Sequence, residues 1–171
     1  MAEKFVEIKP EQITDNTFKL IGSDWMLVTA GTLGSYNTMT ASWGGFGVLW
    51  NKNVCFCVVR PSRYTYGFME KADTFTLAFF DDNYRKALAF CGSHSGRDVD
   101  KAAKTGLTPV ESGNGSVYFD EARLVLECRK LYFQDLNPAN FIDMGIDKEY
   151  YPEKDYHRMY VGEVIRCLQK K

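Results

Sequence analysis

Arg123 to Phe133 reads RLVLECRKLYF. Leu124, Leu126 and Cys128 recur at every second position, with Arg123, Glu127 and Arg129 among the residues between them. A period of two belongs to a strand, because successive side chains leave a pleated backbone on opposite sides. Charge on the alternate positions assigns one face to water. An antiparallel sheet tolerates that, whereas a parallel sheet buried on both faces does not.

The segments to either side carry the same signal. Thr74–Phe80 (TFTLAFF) places Phe75, Leu77 and Phe79 on one face and closes at Asp81-Asp82. Asn53–Arg60 (NVCFCVVR) is stopped by Pro61, Trp25–Leu33 (WMLVTAGTL) ends at Gly34-Ser35, and Arg158–Leu168 (RMYVGEVIRCL) is the last strand predicted. Short helices are expected between them. One is Thr65–Lys71; a second, Asn83–Cys91, follows an acidic pair that suits a helix N-terminus. A third, Asp98–Thr105, is ended by Gly106 with Pro109 just beyond. Ser112-Gly113-Asn114-Gly115-Ser116 reads as a hairpin turn. Asn137–Tyr156, aromatic and weakly periodic, reads as a long loop excursion of the kind that often carries function. Many strands, few helices and no βαβ alternation argue for an antiparallel barrel. With no repeat, linker or low-complexity stretch, residues 1–171 read as one domain.

Composition excludes several functions. The 171 residues are 45% hydrophobic and 25% charged, and 21 Lys+Arg against 22 Asp+Glu leave a formal net charge of -1. Such a chain has no field with which to recruit a polyanion, so no nucleic-acid partner is expected. The 15% aromatic content suits a β-rich fold and equally a site that stacks flat ligands. The N-terminus, Met1-Ala2-Glu3-Lys4-Phe5, leads into no apolar run, so no signal peptide is expected. No apolar stretch approaches the roughly 18–20 residues of a spanning helix, so no membrane partner is expected either. Five cysteines without a CxxC, and only His94 and His157 as imidazoles, make a zinc site improbable and suggest reduced thiols in a cytoplasmic protein. There is no GxGxxG and no P-loop, so any nicotinamide binds without a Rossmann fingerprint.

Three polar clusters sit at the ends of the predicted elements. Asn37-Thr38-Met39-Thr40-Ala41-Ser42-Trp43-Gly44-Gly45 offers side chains and accessible backbone to a heterocycle edge, or else is a hairpin of ordinary turn residues. Arg60-Pro61-Ser62-Arg63-Tyr64-Thr65 lies where a strand gives way to a helix. Unpaired N–H groups there, with two guanidinium groups and hydroxyls, suit a phosphate. The competing reading is a capped helix with solvated arginines. Ser93 to Lys101 holds Ser95-x-x-Asp98, close to a capping box, which predicts a helix start at Ser95 with Arg97 and Lys101 on one face. Those cations could hold an anion or simply pair with Asp98 and Asp100 on an exposed helix. No nucleophilic triad is credible.

Together the three clusters resemble the flavin reductase-like, FMN-binding split-barrel family, which includes flavoredoxins and flavin:NAD(P)H reductases. The resemblance rests on Asn37–Trp43, Arg60–Thr65 and Ser95–Lys101, in the family's order, with Tyr160-Val161-Gly162-Glu163-Val164 similar to its last barrel strand. It implies a six-stranded antiparallel Greek-key split barrel with a few peripheral helices, assembled as a homodimer. It also implies that Asn37, Thr38, Met39, Thr40, Ser42 and Trp43 line the flavin ring and ribityl chain. Ser62, Arg63 and Thr65 then reach the phosphate. Ser95 and Arg97 belong to the third matching stretch, and Lys101 is its basic flavin contact. Where some relatives carry a histidine after the strand that ends at Phe133, this chain has Gln134-Asp135.

The resemblance further implies an oxidoreductase in which FMN carries the chemistry, with no catalytic side chain and no metal. Electrons pass from NAD(P)H through flavin to a free flavin, a metal complex or a protein. The alternatives are a non-enzymatic flavoredoxin-type carrier and a barrel that binds a small ligand without redox chemistry.

Overall fold

The computed structural model describes residues 4–171; Met1–Glu3, part of the N-terminal stretch read above, lie outside the described residues. The strands are β1 (Phe5–Ile8), β2 (Met26–Thr32), β3 (Ser35–Ala41), β4 (Gly44–Leu49), β5 (Lys52–Val59), β6 (Thr74–Phe79), β7 (Pro109–Glu111), β8 (Val117–Phe119), β9 (Leu124–Asp135) and β10 (Arg158–Lys170). The helices are α1 (Thr17–Lys19), α2 (Tyr64–Lys71), α3 (Arg85–Ser93), α4 (Lys101–Thr105) and α5 (Met144–Tyr150). None of the described helices is long and apolar enough to cross a membrane.

Eight strands form one antiparallel sheet, in the order β3-β2-β6-β9-β10-β5-β4 with β1 added against β10. The resemblance implied six; the additional strands extend the same architecture. Laid flat, seven strands about 4.8 Å apart would put the ends of that path about 29 Å from each other. Yet β3 and β4, the two ends, are joined through Ser42 and Trp43 alone, a step of at most about 11 Å. The sheet must therefore roll up. No ladder joins β3 to β4 among the described residues, so the barrel is split at that seam.

β10 is the longest strand and pairs with β9 along nearly all its length. Its other edge takes β5 over Arg158–Glu163 and β1 over Cys167–Lys170. Register shifts at Val161/Gly162 and Val164/Arg166 bend it between those partners. A Cβ on Gly162 would lie 2.7 Å from the Phe75 ring and 3.0 Å from the Cys128 Cβ, so only glycine lets the strand pass over the core there.

The barrel interior holds Met26, Val28, Cys55, Phe75, Leu77, Phe79, Leu126 and Tyr160. A second cluster lies outside the sheet, where Leu88 and Cys91 of α3, Ala102 of α4, Leu107 and Phe119 cover Leu27, Ala78 and Val125. β6 and the first half of β9 are consequently buried on both faces. This corrects the expectation that the RLVLECR stretch wets one face: Val125 packs in the second cluster, and Glu127 is buried against Arg166. Only from Arg129 onward does β9 reach water along much of its length. The Ser112–Ser116 turn joins β7 to β8, as expected. The Asn137–Tyr156 excursion contains α5, whose Asp143 cap accepts a hydrogen bond from the Gly145 N–H.

Candidate functional site

The split leaves β3 as an edge strand, and its outward groups have to find partners elsewhere. Lys101 supplies one. Its Nζ donates to the Thr38 carbonyl at 2.8 Å and to the Cys91 carbonyl at 2.8 Å, which ties α4 to β3 and α3. Thr40 Oγ1 donates to the Leu88 carbonyl of α3. In an antiparallel pair each residue turns both backbone groups the same way. The Thr38 carbonyl faces Lys101, so the N–H groups of Thr38 and Thr40 point out of the same unpaired edge.

The second stretch meets the first through Asn37, whose Nδ2 donates to Thr65 Oγ1 at 2.7 Å, both residues being buried. Thr65 lies in the first turn of α2. The N-cap of that helix, Arg63, makes no side-chain capping bond, so the helix presents free N–H groups. Arg63 instead sends Nη2 to the Gly92 carbonyl at 2.8 Å. Burial and the neighbouring Arg60 hold its guanidinium below the usual arginine value.

The third stretch closes over Asn37. A Cβ on Gly96 would stand 1.9 Å from Asn37 Oδ1, so the chain can lie this close only as glycine. Arg97 then stacks its guanidinium on the Tyr64 ring at 4.8 Å. The helix does not start at Ser95 as expected. Ser95 organises a turn, accepting from the backbone N–H of Arg97, Asp98 and Val99. Asp100 caps α4 instead, its side chain accepting from the Ala103 N–H at 3.0 Å. Asp100 wins because it immediately precedes the helical residues, with Gly106 ending them in the left-handed region at φ 72°.

Two clefts result. One, of about 160 Å³, is lined by Asn37, Ser62, Arg63, Tyr64, Thr65, Ser93, His94, Ser95, Gly96, Arg97 and Lys101. The other, of about 300 Å³, is lined by Met39, Thr40, Ala41, Ser42, Trp43, Val58, Arg60, Arg63, Gly92 and His157. Arg63 belongs to both, and among the described residues no carboxylate lines either. Arg60 is neutralised by Asp155. Arg63, Arg97 and Lys101 have no acidic salt-bridge partner among the described residues, which gives the smaller cleft the electrostatics of an anion site. Burial lowers Lys101 to about 8, with Cys91 and Arg63 as lesser influences. A third groove, of about 1020 Å³, runs past Arg63, Tyr64 and Arg97 along α2.

Every residue singled out from the sequence lines one of the two clefts or, as Thr38 does, supplies the carbonyl that anchors Lys101. The sequence puts Arg60 in the second polar cluster but not among the residues implied to touch the flavin, and it assigns His157 no role. His157 comes from the end of the excursion, 5.1 Å from the Trp43 ring and hydrogen-bonded to Tyr151 at 2.7 Å. Its neighbours in sequence are aromatic and charged but unpatterned, so only the pairing of β10 with β5 brings it to the cleft.

The model of the flavin reductase like domain matches residues 18–171. No curated protein sequence matches the chain. Among solved structures, an FMN-binding domain of a flavin reductases-like enzyme from Shewanella baltica has the same fold. It is 17% identical with TM-score 0.70, over 97% of this chain and 77% of that one. A flavoredoxin from Methanosarcina acetivorans is 22% identical with TM-score 0.67, over 99% and 77%. The NADH:FAD oxidoreductase of Streptomyces globisporus is 19% identical with TM-score 0.65, over 85% and 75%.

Proposed function

The chain belongs to the flavin reductase-like domain family, and from that premise we propose that it is an FMN-binding oxidoreductase passing electrons from NAD(P)H to a free flavin, a metal complex or a protein acceptor. One observation carries the reading. A cleft that holds Arg63, Arg97 and Lys101, with no carboxylate of the described residues in its lining, shares Arg63 with a second cleft walled by Met39, Trp43 and His157. A phosphate suits the first and a flat ring the second. The donor set fits FMN in charge, and the absence of a side chain on Gly96 leaves Asn37 its place in the smaller cleft.

Ser62, Thr65 and the free N–H groups of α2 hold the phosphate beside Arg63 and Arg97. Asn37, Thr38, Thr40 and Ser42 orient the ring edge, and Met39 and Trp43 exclude water from its faces. Lys101 stands at the open edge of β3, lines the smaller cleft and contributes positive charge there without entering the ring cleft. Bound FMN would supply the hydride-accepting centre, the chemistry no side chain here provides. The 1020 Å³ groove beyond Arg63, Tyr64 and Arg97 offers room for the dinucleotide donor.

A homodimer is part of the proposal. Val48, Leu49, Trp50, Phe56 and Tyr132 are all exposed around the β4–β5 hairpin, with Trp50 edge-on to Tyr132 at 6.1 Å. Exposed apolar groups clustered in this way suit an isologous contact. A cytoplasmic location is supported by five buried cysteines, all free.

Anaerobic absorbance titration with FMN, then with NADH or NADPH, tests the function. The expected result is saturable FMN binding followed by bleaching with either nucleotide and turnover with ferric chelate. Binding and bleaching without turnover would instead assign a carrier. Protein that takes up no FMN overturns the reading. Arg63→Ala should weaken FMN binding by about 10- to 100-fold, the worth of a lost charge-assisted contact, and riboflavin binding far less.

A further inference from the structure

Tyr151 is 2% exposed, and the one side-chain partner of its hydroxyl among the described residues is Nδ1 of His157 at 2.7 Å, with the His157 backbone N–H on its acceptor side. A buried phenol must place its proton on an acceptor, so the O–H donates to Nδ1. A neutral imidazole has one N–H, and with Nδ1 accepting, that proton is on Nε2. The ring is neutral at ordinary pH, because burial and then the Arg60 guanidinium lower its pKa to about 4, against an opposing pull from Asp155.

Nε2 makes no hydrogen bond within the described residues, yet every fully enclosed side-chain N or O among them is partnered. The nitrogen therefore touches open space, and the space His157 lines is the 300 Å³ cleft with Thr40, Ser42 and Trp43. Its surroundings hold it still. Trp43 packs at 5.1 Å from the imidazole and at 5.3 Å from Tyr150. Arg60 lies over the Tyr151 ring at 5.1 Å, donates to the Tyr150 carbonyl at 2.8 Å and pairs with Asp155.

We propose that the excursion between β9 and β10 supplies a positioning pair, in which Tyr151 fixes the imidazole of His157 so that it offers a neutral Nε2–H donor to the flavin ring. His157 is the contact and Tyr151 the positioning residue. A neutral donor aimed at the ring favours its electron-rich, reduced form over the oxidised one while leaving the phosphate end untouched. The proposal rests on the FMN reading above.

The test measures the dissociation constant of oxidised FMN, the two-electron reduction potential of bound FMN, and the imidazole tautomer by ¹⁵N NMR of the protein without flavin. His157→Leu should lower the affinity for reduced relative to oxidised FMN roughly tenfold, a potential drop of about 30 mV for a two-electron couple. His157→Gln, which keeps an amide donor, should restore most of it. Tyr151→Phe should shift the tautomer mixture in the flavin-free protein and lower the potential in the same direction. It removes a single oxygen, and it carries the test if His157→Leu does not fold. Unchanged potential and tautomer in variants that still bind FMN would overturn the pair and leave the functional reading standing. Wild-type protein that binds no FMN would remove both.

Discussion

Gly96→Ala adds one methyl group at the point where the three stretches meet. Its Cβ would lie 1.9 Å from Asn37 Oδ1, 2.8 Å from Asn37 Cγ and 3.2 Å from the Tyr64 ring. Relief has two routes. Asn37 can swing away, which breaks its 2.7 Å bond to Thr65 and strands a buried amide, at about 1–3 kcal/mol. Alternatively the Ser95–Val99 turn can move outward by more than an ångström. That turn is half-exposed or exposed and no ladder holds it, so it is the cheaper route, near the low end of the roughly 1–3 kcal/mol of an overpacked site. Movement of the turn carries Arg97 off Tyr64 and strains the Lys101 anchor. Binding should therefore suffer more than folding. For a chain of this length each kcal/mol corresponds to about 2–4 °C in Tm, so thermal unfolding should show a small drop. FMN titration by fluorescence quenching should show at least a tenfold loss of affinity. Gly67→Ala is the control, because a Cβ there meets nothing within 4 Å. It lies inside α2 and should stabilise the fold by about 0.5–1 kcal/mol without changing FMN affinity. If Gly96→Ala matches Gly67→Ala in both assays, the turn does not press on β3 and the convergence of the three stretches is wrong.

Three further outcomes can be measured. Lys101 has its pKa lowered to about 8 against an ordinary 10.5, so the unfolded chain holds this proton more tightly; stability should rise with pH across that window, a slope that Lys101→Met should remove in chemical denaturation. A bound phosphate favours the charged form, so FMN affinity should instead fall, by up to tenfold per pH unit, as pH climbs above about 8, with proton uptake on binding measurable by calorimetry in buffers of different ionisation heat. Trp50→Lys places a charge at the tip of the exposed apolar hairpin and should shift sedimentation toward the monomer; an unchanged sedimentation coefficient would move the subunit contact elsewhere.

The parts of the fold that the sequence announces are those whose side chains do the packing. β5 and β6 carry apolar residues at strand spacing and stop at Pro61 and Asp81. α4 ends where Gly106 says it should. β3 and β4 are hidden because their composition argues the other way. Asn37 and Thr38 read as turn residues, and only pairing with β2 and the cover of α2 and α4 buries them. Gly44 and Gly45 read as a break, yet both lie within a strand, and at Gly44 the close backbone of Phe56 requires glycine. A Cβ on either would come within 2.5 Å of Phe56, on its carbonyl or its ring. The three site stretches could be picked out as polar clusters. What placed them together was the roll of the sheet, which no local pattern encodes.

That roll also explains why the site is where it is. A closed barrel spends every backbone group on a neighbour, whereas a split one leaves an edge whose groups must be met by something else. Here the Thr38 carbonyl is met by Lys101, and the Thr40 hydroxyl reaches α3. The N–H groups of Thr38 and Thr40 face the same open edge. Arg63, Asn37 and Lys101 are each already fixed by bonds within the protein: to the Gly92 carbonyl, to Thr65, and to the carbonyls of Thr38 and Cys91. A ligand entering the clefts therefore meets donors that are oriented before it arrives, and little of its binding energy is lost in ordering them. The seam where the sheet fails to close is thus both the defect the helices repair and a place where backbone and cations face the same clefts.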